Sequence, residues 1–373
     1  MEASSARPFR LAVLGGALLA CSRTAPSPLP LVHDAYLWQR AWSAEVKEAA
    51  ADAPDALHGL RVLAVERSLS RRGQGVMTTV SVDADSLARS GREVVAVLRI
   101  DGSAPLDEVS LAEVVRVARA WRASGAQVHG VEIDHDCATA ALPAYAAWLR
   151  QARTQLDGLA LSMTALSTWV GSPALPDLLA SVGDVVVQLH TIAAPVLFDP
   201  VRARRAAEAW SRATGRSFRI ALPTYRARLR DGTELAADPK AVAAFLADLQ
   251  TRPIPGLAGI VWFRLGNAAD PNAWSGATLT AVMQGTKLTT QVEARLVAGE
   301  TGALDVVLEN QGNLDGEPPG RLPFSGDIDA LDGVRGFAAR GSSLVAQRPL
   351  RLRAGESAVV GYVRGKDIQV ALP

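Results

Sequence analysis

From residue 34 onward the chain alternates two patterns. Short, near-continuous apolar runs recur at Asp34–Gln39 (DAYLWQ), Arg61–Glu66 (RVLAVE), Glu93–Ile100 (EVVAVLRI), Gln127–Asp136 (QVHGVEIDHD), Ala160–Leu166 (ALSMTAL), Val185–His190 (VVVQLH), Arg219–Tyr225 (RIALPTY) and Gly259–Leu265 (GIVWFRL). Their length and β-branched content predict strands. Between them lie stretches with apolar residues at i, i+3 and i+4, among them Leu106–Ser124, Pro143–Leu156, Pro200–Thr214 and Pro239–Thr251, which predict amphipathic helices. Proline opens three of these four, where its missing N–H costs nothing. Successive strands start 25 to 40 residues apart, the size of a βα unit. Strands apolar on both faces belong to a parallel sheet covered by helices, and eight such units within residues 31–285 predict a closed (β/α)8 TIM-type barrel. An open, doubly wound sheet is the competing arrangement. No glycine-rich phosphate loop follows any of the strands, which counts against its nucleotide-binding versions.

After Gly285 the helical pattern stops. Alternating runs at Leu288–Leu296, Ala303–Leu308, Leu350–Arg353 and Ser357–Val363, broken by Gly and Pro, predict a small β-sandwich-like domain over residues 286–373. At the other end, Arg7 and Arg10 precede the apolar run Leu11–Ala20, the layout of an export signal over residues 1–20 and shorter than the ~20 residues that span a bilayer. The run closes with Leu18-Leu19-Ala20-Cys21, which resembles the bacterial lipobox and implies lipidation of Cys21. Residues 21–30, with prolines at 26, 28 and 30, then form an extended tether. Ser22 beside the lipidated cysteine resembles lipoproteins sorted to an outer membrane, so the expected location is the periplasmic side of that membrane, held by the lipid anchor.

Charge and composition narrow the function. Lys plus Arg number 39 against 38 Asp plus Glu, a net +1, so no global field draws in nucleic acid. Two cysteines, Cys21 and Cys137, exclude a disulfide framework and a multi-Cys zinc site, and neither a metal nor another cofactor is expected. Cys137 has no evident base partner and reads as a buried thiol. Ser162 and Thr164 lack a nucleophile-elbow pattern, which disfavours an esterase triad with His190. The 8 Trp outnumber the 7 Phe and 4 Tyr. Trp121, Trp148 and Trp210 sit at core spacing in helices, Trp42 and Trp274 fit either role, and Trp38, Trp169 and Trp262 fall at strand ends, where a ring can stack on a sugar face.

In such a barrel the chemistry lies at the carboxyl ends of the strands. Those ends carry Tyr36, Trp38 and Gln39; Glu66; Arg99 and Asp101; Glu132, Asp134 and Asp136; Thr164 and Trp169; Gln188 and His190; Tyr225; and Trp262 and Arg264. The fourth predicted strand is the most informative, because Glu132, Asp134 and Asp136 at i, i+2 and i+4 share one face. Three like charges in a row push at least one pKa upward, as a general acid near neutrality requires. The alternative is a structural ion network in which Arg99 and Arg264 neutralise the row. His135 points the other way, toward the helices.

Gly130–Asp136 resembles the fourth-strand motif of family 18 glycoside hydrolases, a glycine followed by acids at alternate positions and ending in the proton donor. Trp262 resembles the tryptophan that floors the sugar subsite there. The resemblance implies Asp136 as the acid and Asp134 as its orienting neighbour. Asp136 stands where that family has Glu, and the sixth strand ends in Gln188-Leu189-His190 where a tyrosine is common. Over nearly the whole chain, His33–Trp42, Val131–Cys137, Leu161–Trp169, Gln188–His190 and Gly259–Arg264 resemble the bacterial family of domain of unknown function 3142, exported and often lipid-anchored proteins.

The expectation is a lipid-anchored, glycoside hydrolase-like barrel acting on carbohydrate. Asp136 is the general acid/base, Asp134 and Glu132 tune it, and Glu66 or Asp101 supplies a second carboxylate. Tyr36, Trp38, Gln39, Arg99, Trp169, Gln188, His190, Tyr225, Trp262 and Arg264 are expected to bind substrate. The rival expectation is a non-catalytic glycan-binding or envelope-organising lipoprotein on a degenerate barrel. Full sequestration of Asp136 by Arg99 or Arg264 would favour the rival.

Overall fold

The structure, a computed structural model, describes residues 1, 31–190, 196–299 and 302–372. Its first strands are β1 (Val32–Leu37) and β2 (Gly59–Leu69), the latter folding back on β3 (Gly75–Thr79) as an antiparallel hairpin. There follow β4 (Glu93–Ile100), β5 (Gln127–His135), β6 (Ala160–Leu166), β7 (Asp184–Gln188) and β8 (Phe218–Pro223), then a short ribbon of β9 (Arg226–Arg228) and β10 (Glu234–Ala236), and β11 (Leu257–Phe263). Eight of these pair in parallel, in the order β1-β2-β4-β5-β6-β7-β8-β11, and β11 returns to β1. The barrel is closed, as the run spacing predicts.

The connecting helices are α1 (Ala44–Ala51), α2 (Ala84–Ser90), α3 (Glu108–Ala123), α4 (Leu142–Thr154), α5 (Leu175–Ala180), α6 (Pro200–Thr214), α7 (Pro239–Thr251) and α8 (Gly276–Met283). Asp83, Asp107, Asp199 and Asp238 cap α2, α3, α6 and α7, each side chain accepting from a first-turn N–H that has no helical partner. The apolar stripes pack on the outside of the barrel; Trp121, Trp148 and Trp210 are buried there, as their helical spacing predicts. Inside, a small layer of Tyr36, Val97, Val186, Ala221 and Val261 fills the centre. Gly130 lets β5 approach β6: a Cβ there would lie 2.6 Å from the Ala160 carbonyl oxygen.

The hairpin β2–β3 and the ribbon β9–β10 were not anticipated from the sequence. Both are insertions at the carboxyl ends of barrel strands, short and partly exposed, so they carry little apolar periodicity.

The second unit holds β12 (Val292–Ala298), β13 (Leu304–Asn310), β14 (Arg321–Gly333), β15 (Phe337–Arg340), β16 (Ser343–Ala346) and β17 (Ser357–Val370). It is all-β, as expected: the strands pair antiparallel in the order β12-β13-β17-β14-β16-β15. The register shifts along β14 and β17 bend the sheet around its own apolar cluster, which includes Val306, Leu322, Leu344 and Val360. Leu350–Arg353 is not a strand; it makes only an isolated bridge, Leu352 to Gly316. Asp315 docks this sheet on the barrel, accepting from Ser275 N at 2.9 Å and from Arg351 Nη2 at 2.7 Å. The export signal, Cys21 and the tether lie outside the described residues.

Candidate active site

The carboxyl ends of the strands enclose a cleft of about 140 Å³. On one side stand Tyr36 on β1, Trp38 just beyond it, and Arg99 on β4. The acid wall is Asp134 on β5 and Asp136 just beyond it, with Thr164 on β6 and Gln188 on β7. His190, Tyr225 and Phe263 complete the lining, with Phe263 packed against Tyr36 and Trp38. Alternation along β5 turns Glu132, Asp134 and Asp136 inward at three depths, while His135 points outward, its Nδ1 3.0 Å from the Ile100 carbonyl.

Glu132 is fully buried and accepts from Tyr36 Oη at 2.7 Å and from Arg61 Nη1. Asp134 is almost as deep. It accepts from Arg99 Nη1 at 2.5 Å, Thr164 Oγ1 at 2.6 Å and Gln188 Nε2 at 3.4 Å. Asp136 accepts from Gln188 Nε2 at 3.1 Å, lies 3.4 Å from Arg99 Nη2, and keeps 32% of its side chain exposed. Burial and the adjacent Asp134 push the Asp136 carboxyl above the ordinary aspartate range, against the pull of Arg99 and Gln188. Glu132, fully buried, is also pushed upward, so Asp136 is the raised acid of the row that is open to a ligand. In the same cleft, burial holds His190 neutral, its pKa lowered to about 4, and pushes Tyr225 up to about 12. The Cys137 thiol, buried and raised to about 11, is inert, as its lack of a base partner predicts.

The structure brings together Tyr36, Trp38, Arg99, Asp134, Asp136, Gln188, His190 and Tyr225, and it separates others from them. Trp262 is corrected: it is fully buried and faces the helices, with Nε1 3.1 Å from His33 Nδ1 and its ring 6.4 Å from that of Trp274. Its neighbour Phe263 takes the cleft position, with ring centroids 5.3 Å from Trp38 and 5.5 Å from His190. Trp169 is also core, donating to the Cys137 carbonyl at 3.3 Å and packing edge-on to Tyr145. Arg264 turns away from the acid row to Asp270, 2.5 Å away. Gln39 donates to the Leu265 carbonyl outside the cleft. Glu66 is held by Arg40 at 2.5 and 2.6 Å, and Asp101 is exposed beside Arg99 Nε at 3.3 Å; neither lines the cleft. Of the two guanidiniums expected on the row only Arg99 is there. The second is Arg61, near the start of β2, a charge set two residues into a strand whose next four residues are apolar.

Comparison with known proteins agrees with the family resemblance. Residues 90–268 match the family described as Domain of unknown function (DUF3142), and residues 278–366 match Domain of unknown function (DUF8456). No curated protein matches the chain in sequence. Among solved structures, the spore cortex-lytic enzyme SleL of Bacillus megaterium QM B1551 is similar at 11% identity and TM-score 0.49, over 71% of this chain and 76% of that one. A chitinase from Bacteroides thetaiotaomicron aligns at 11% identity and TM-score 0.47, over 63% of this chain and 89% of its own. The xylanase and α-amylase inhibitor protein XAIP-II of Scadoxus multiflorus aligns at 12% identity and TM-score 0.45, over 69% and 99%.

Proposed function

We propose that this chain, whose residues 90–268 match the DUF3142 family, is an exported, lipid-anchored glycoside hydrolase-like protein that uses Asp136 as general acid and base on an envelope or environmental glycan. The observation that carries the reading is the state of Asp136: partly exposed in the cleft, biased toward its protonated form, and next to a more deeply buried carboxylate clamped by Arg99 and Thr164. In that state its proton passes to the glycosidic oxygen as the C–O bond breaks, and the carboxylate left behind takes a proton from the attacking water. Asp134, held by three donors, stays in place to stabilise positive charge developing on the sugar ring. Trp38 and Phe263 offer apolar ring surface beside the acids, suited to an uncharged sugar.

One observation favours the second reading, a glycan-binding lipoprotein without catalysis. Asp136 is shorter than the glutamate of the motif it resembles by one C–C bond, about 1.5 Å, and Gln188 and Arg99 both hold it. Purified wild type and Asp136→Asn assayed on peptidoglycan and a polysaccharide panel separate the two. Hydrolysis is expected to fall by about 10²- to 10⁴-fold in the variant. Equal turnover by both proteins would remove Asp136 from the reaction, and binding without turnover by either would establish the second reading.

A further inference from the structure

The amino-terminal mouth of the barrel holds a second set of charges that this chemistry does not use. Asp34 on β1, Arg61 on β2, Glu132 on β5, Asp184 on β7 and Arg219 on β8 meet there, around a hollow of about 350 Å³ that Glu132 alone does not line. Arg61 is the hub, with its side chain 3% exposed. Its Nε and Nη2 lie 3.3 and 3.2 Å from Asp34 Oδ2, Nη2 lies 2.8 Å from Asp184 Oδ2, and Nη1 donates to Glu132. Arg219 reinforces the rim, 3.0 Å from Asp34 and 3.1 Å from Asp184.

Glu132 is the row's deepest carboxyl, and the groups that face it are few. Tyr36 donates from β1, Arg61 from β2, Asp134 stands two residues along β5, and Asp184 lies beyond Arg61 on β7. Among the described residues Arg61 is the only cation that touches Glu132. Burial, the largest influence, with Asp134 and Asp184 leaves the Glu132 carboxyl above the ordinary glutamate range even though Arg61 and the Tyr36 hydroxyl pull it down, so the Arg61 ion pair is what opposes its protonation. A carboxylate at zero exposure without a cation takes up a proton instead of remaining charged.

We infer that Arg61 is a positioning residue for the acid row: it fixes Glu132 as an anion and thereby leaves Asp136 as the row's proton carrier. The inference rests on the reading of Asp136 as the proton donor. Three carboxylates can share one strand face because two guanidiniums divide them, Arg61 from the amino-terminal mouth and Arg99 from the cleft. A lysine would not replace Arg61, since only a planar fork reaches carboxylates on β1, β5 and β7 together.

Carboxyl titration by NMR on full-length protein labelled with ¹³C at Asp and Glu, between about pH 5 and 9, tests this without a substrate. The wild type is expected to show a step that Asp136→Asn removes and that Glu132→Gln leaves in place. Arg61→Met is expected to gain a step, absent from the double variant Arg61→Met/Glu132→Gln. A wild-type step removed by Glu132→Gln, or no new step in Arg61→Met, would overturn the inference. If Arg61→Met does not fold, the wild type against Glu132→Gln decides it alone. Failure of glycan hydrolysis with these titrations intact would sink the proposed reaction and leave the role of Arg61 standing.

Discussion

Asp136 carries a cost that can be measured. Because burial and Asp134 raise its pKa in the folded chain, the native state binds that proton more tightly than the unfolded state does. The sign follows: stability is greatest below the ordinary aspartate value near 3.8 and falls as pH rises through that value toward the raised one. Asp136→Asn removes the charge, so the variant is expected to melt above wild type at pH 7 and to converge with it near pH 4, read by thermal unfolding across a pH series. A variant that melts below wild type at pH 7 would mean that Asp136 is a stabilising ion-pair partner of Arg99. The tryptophan surplus is likewise resolved residue by residue. All eight pack in or against a buried cluster, Trp274 also donating to the Ala237 carbonyl at 3.1 Å, and Trp38 alone also lines the cleft. An unusual count in the composition marked a large core more than it marked a sugar platform.

Each barrel strand presents one face to the interior and one to the helices, and a shift of one residue exchanges them. Along β5 the polar acids alternate with apolar residues, so the inward set was legible from the sequence. Along β11 Ile260, Val261, Trp262 and Phe263 are all apolar, and nothing local says which parity faces inward. Pairing with β1 and β8 decides it, placing Trp262 beside Ala35 and Leu222, both outward. The two tryptophans at strand ends should therefore behave differently. Trp262→Ala leaves a large void and is expected to cost about 3–5 kcal/mol in denaturant unfolding. Trp38→Ala, at the partly exposed mouth, is expected to cost about 1 kcal/mol and to weaken glycan binding instead. Equal losses of stability would contradict the assignment of the two faces.

At the scale of the whole molecule, a barrel with its cleft at one end is docked to a curled β-sheet. Arg353 donates to the Asn267 carbonyl at 2.7 Å, and Arg351 to that of Pro271 at 3.2 Å, so the sheet grips the loop that follows β11. That loop begins just past Phe263, which ties the second unit to one wall of the cleft. No helix among the described residues is long and apolar enough to cross a membrane. The proposed attachment is the lipid on Cys21 with its Pro-rich tether. Cys21→Ser is expected to move the protein from the membrane to the soluble fraction on cell fractionation, and an unchanged distribution would exclude the anchor.

By itself the sequence determined the alternation of strands and helices, the closed barrel and the inward row of acids, because each is written in local periodicity. Glu93–Ile100, Ala160–Leu166, Pro200–Thr214 and Pro239–Thr251 even begin and end where the runs do. Only the tertiary structure decided which guanidiniums serve the row, which aromatic ring faces the cleft, and the order in which the last strands pair. Arg61 and Glu132 are 71 residues apart, and Arg99 and Asp134 are 35 apart. Such partners are chosen by closure of the barrel, which sets the register between strands, and periodicity within a single strand carries no information about it.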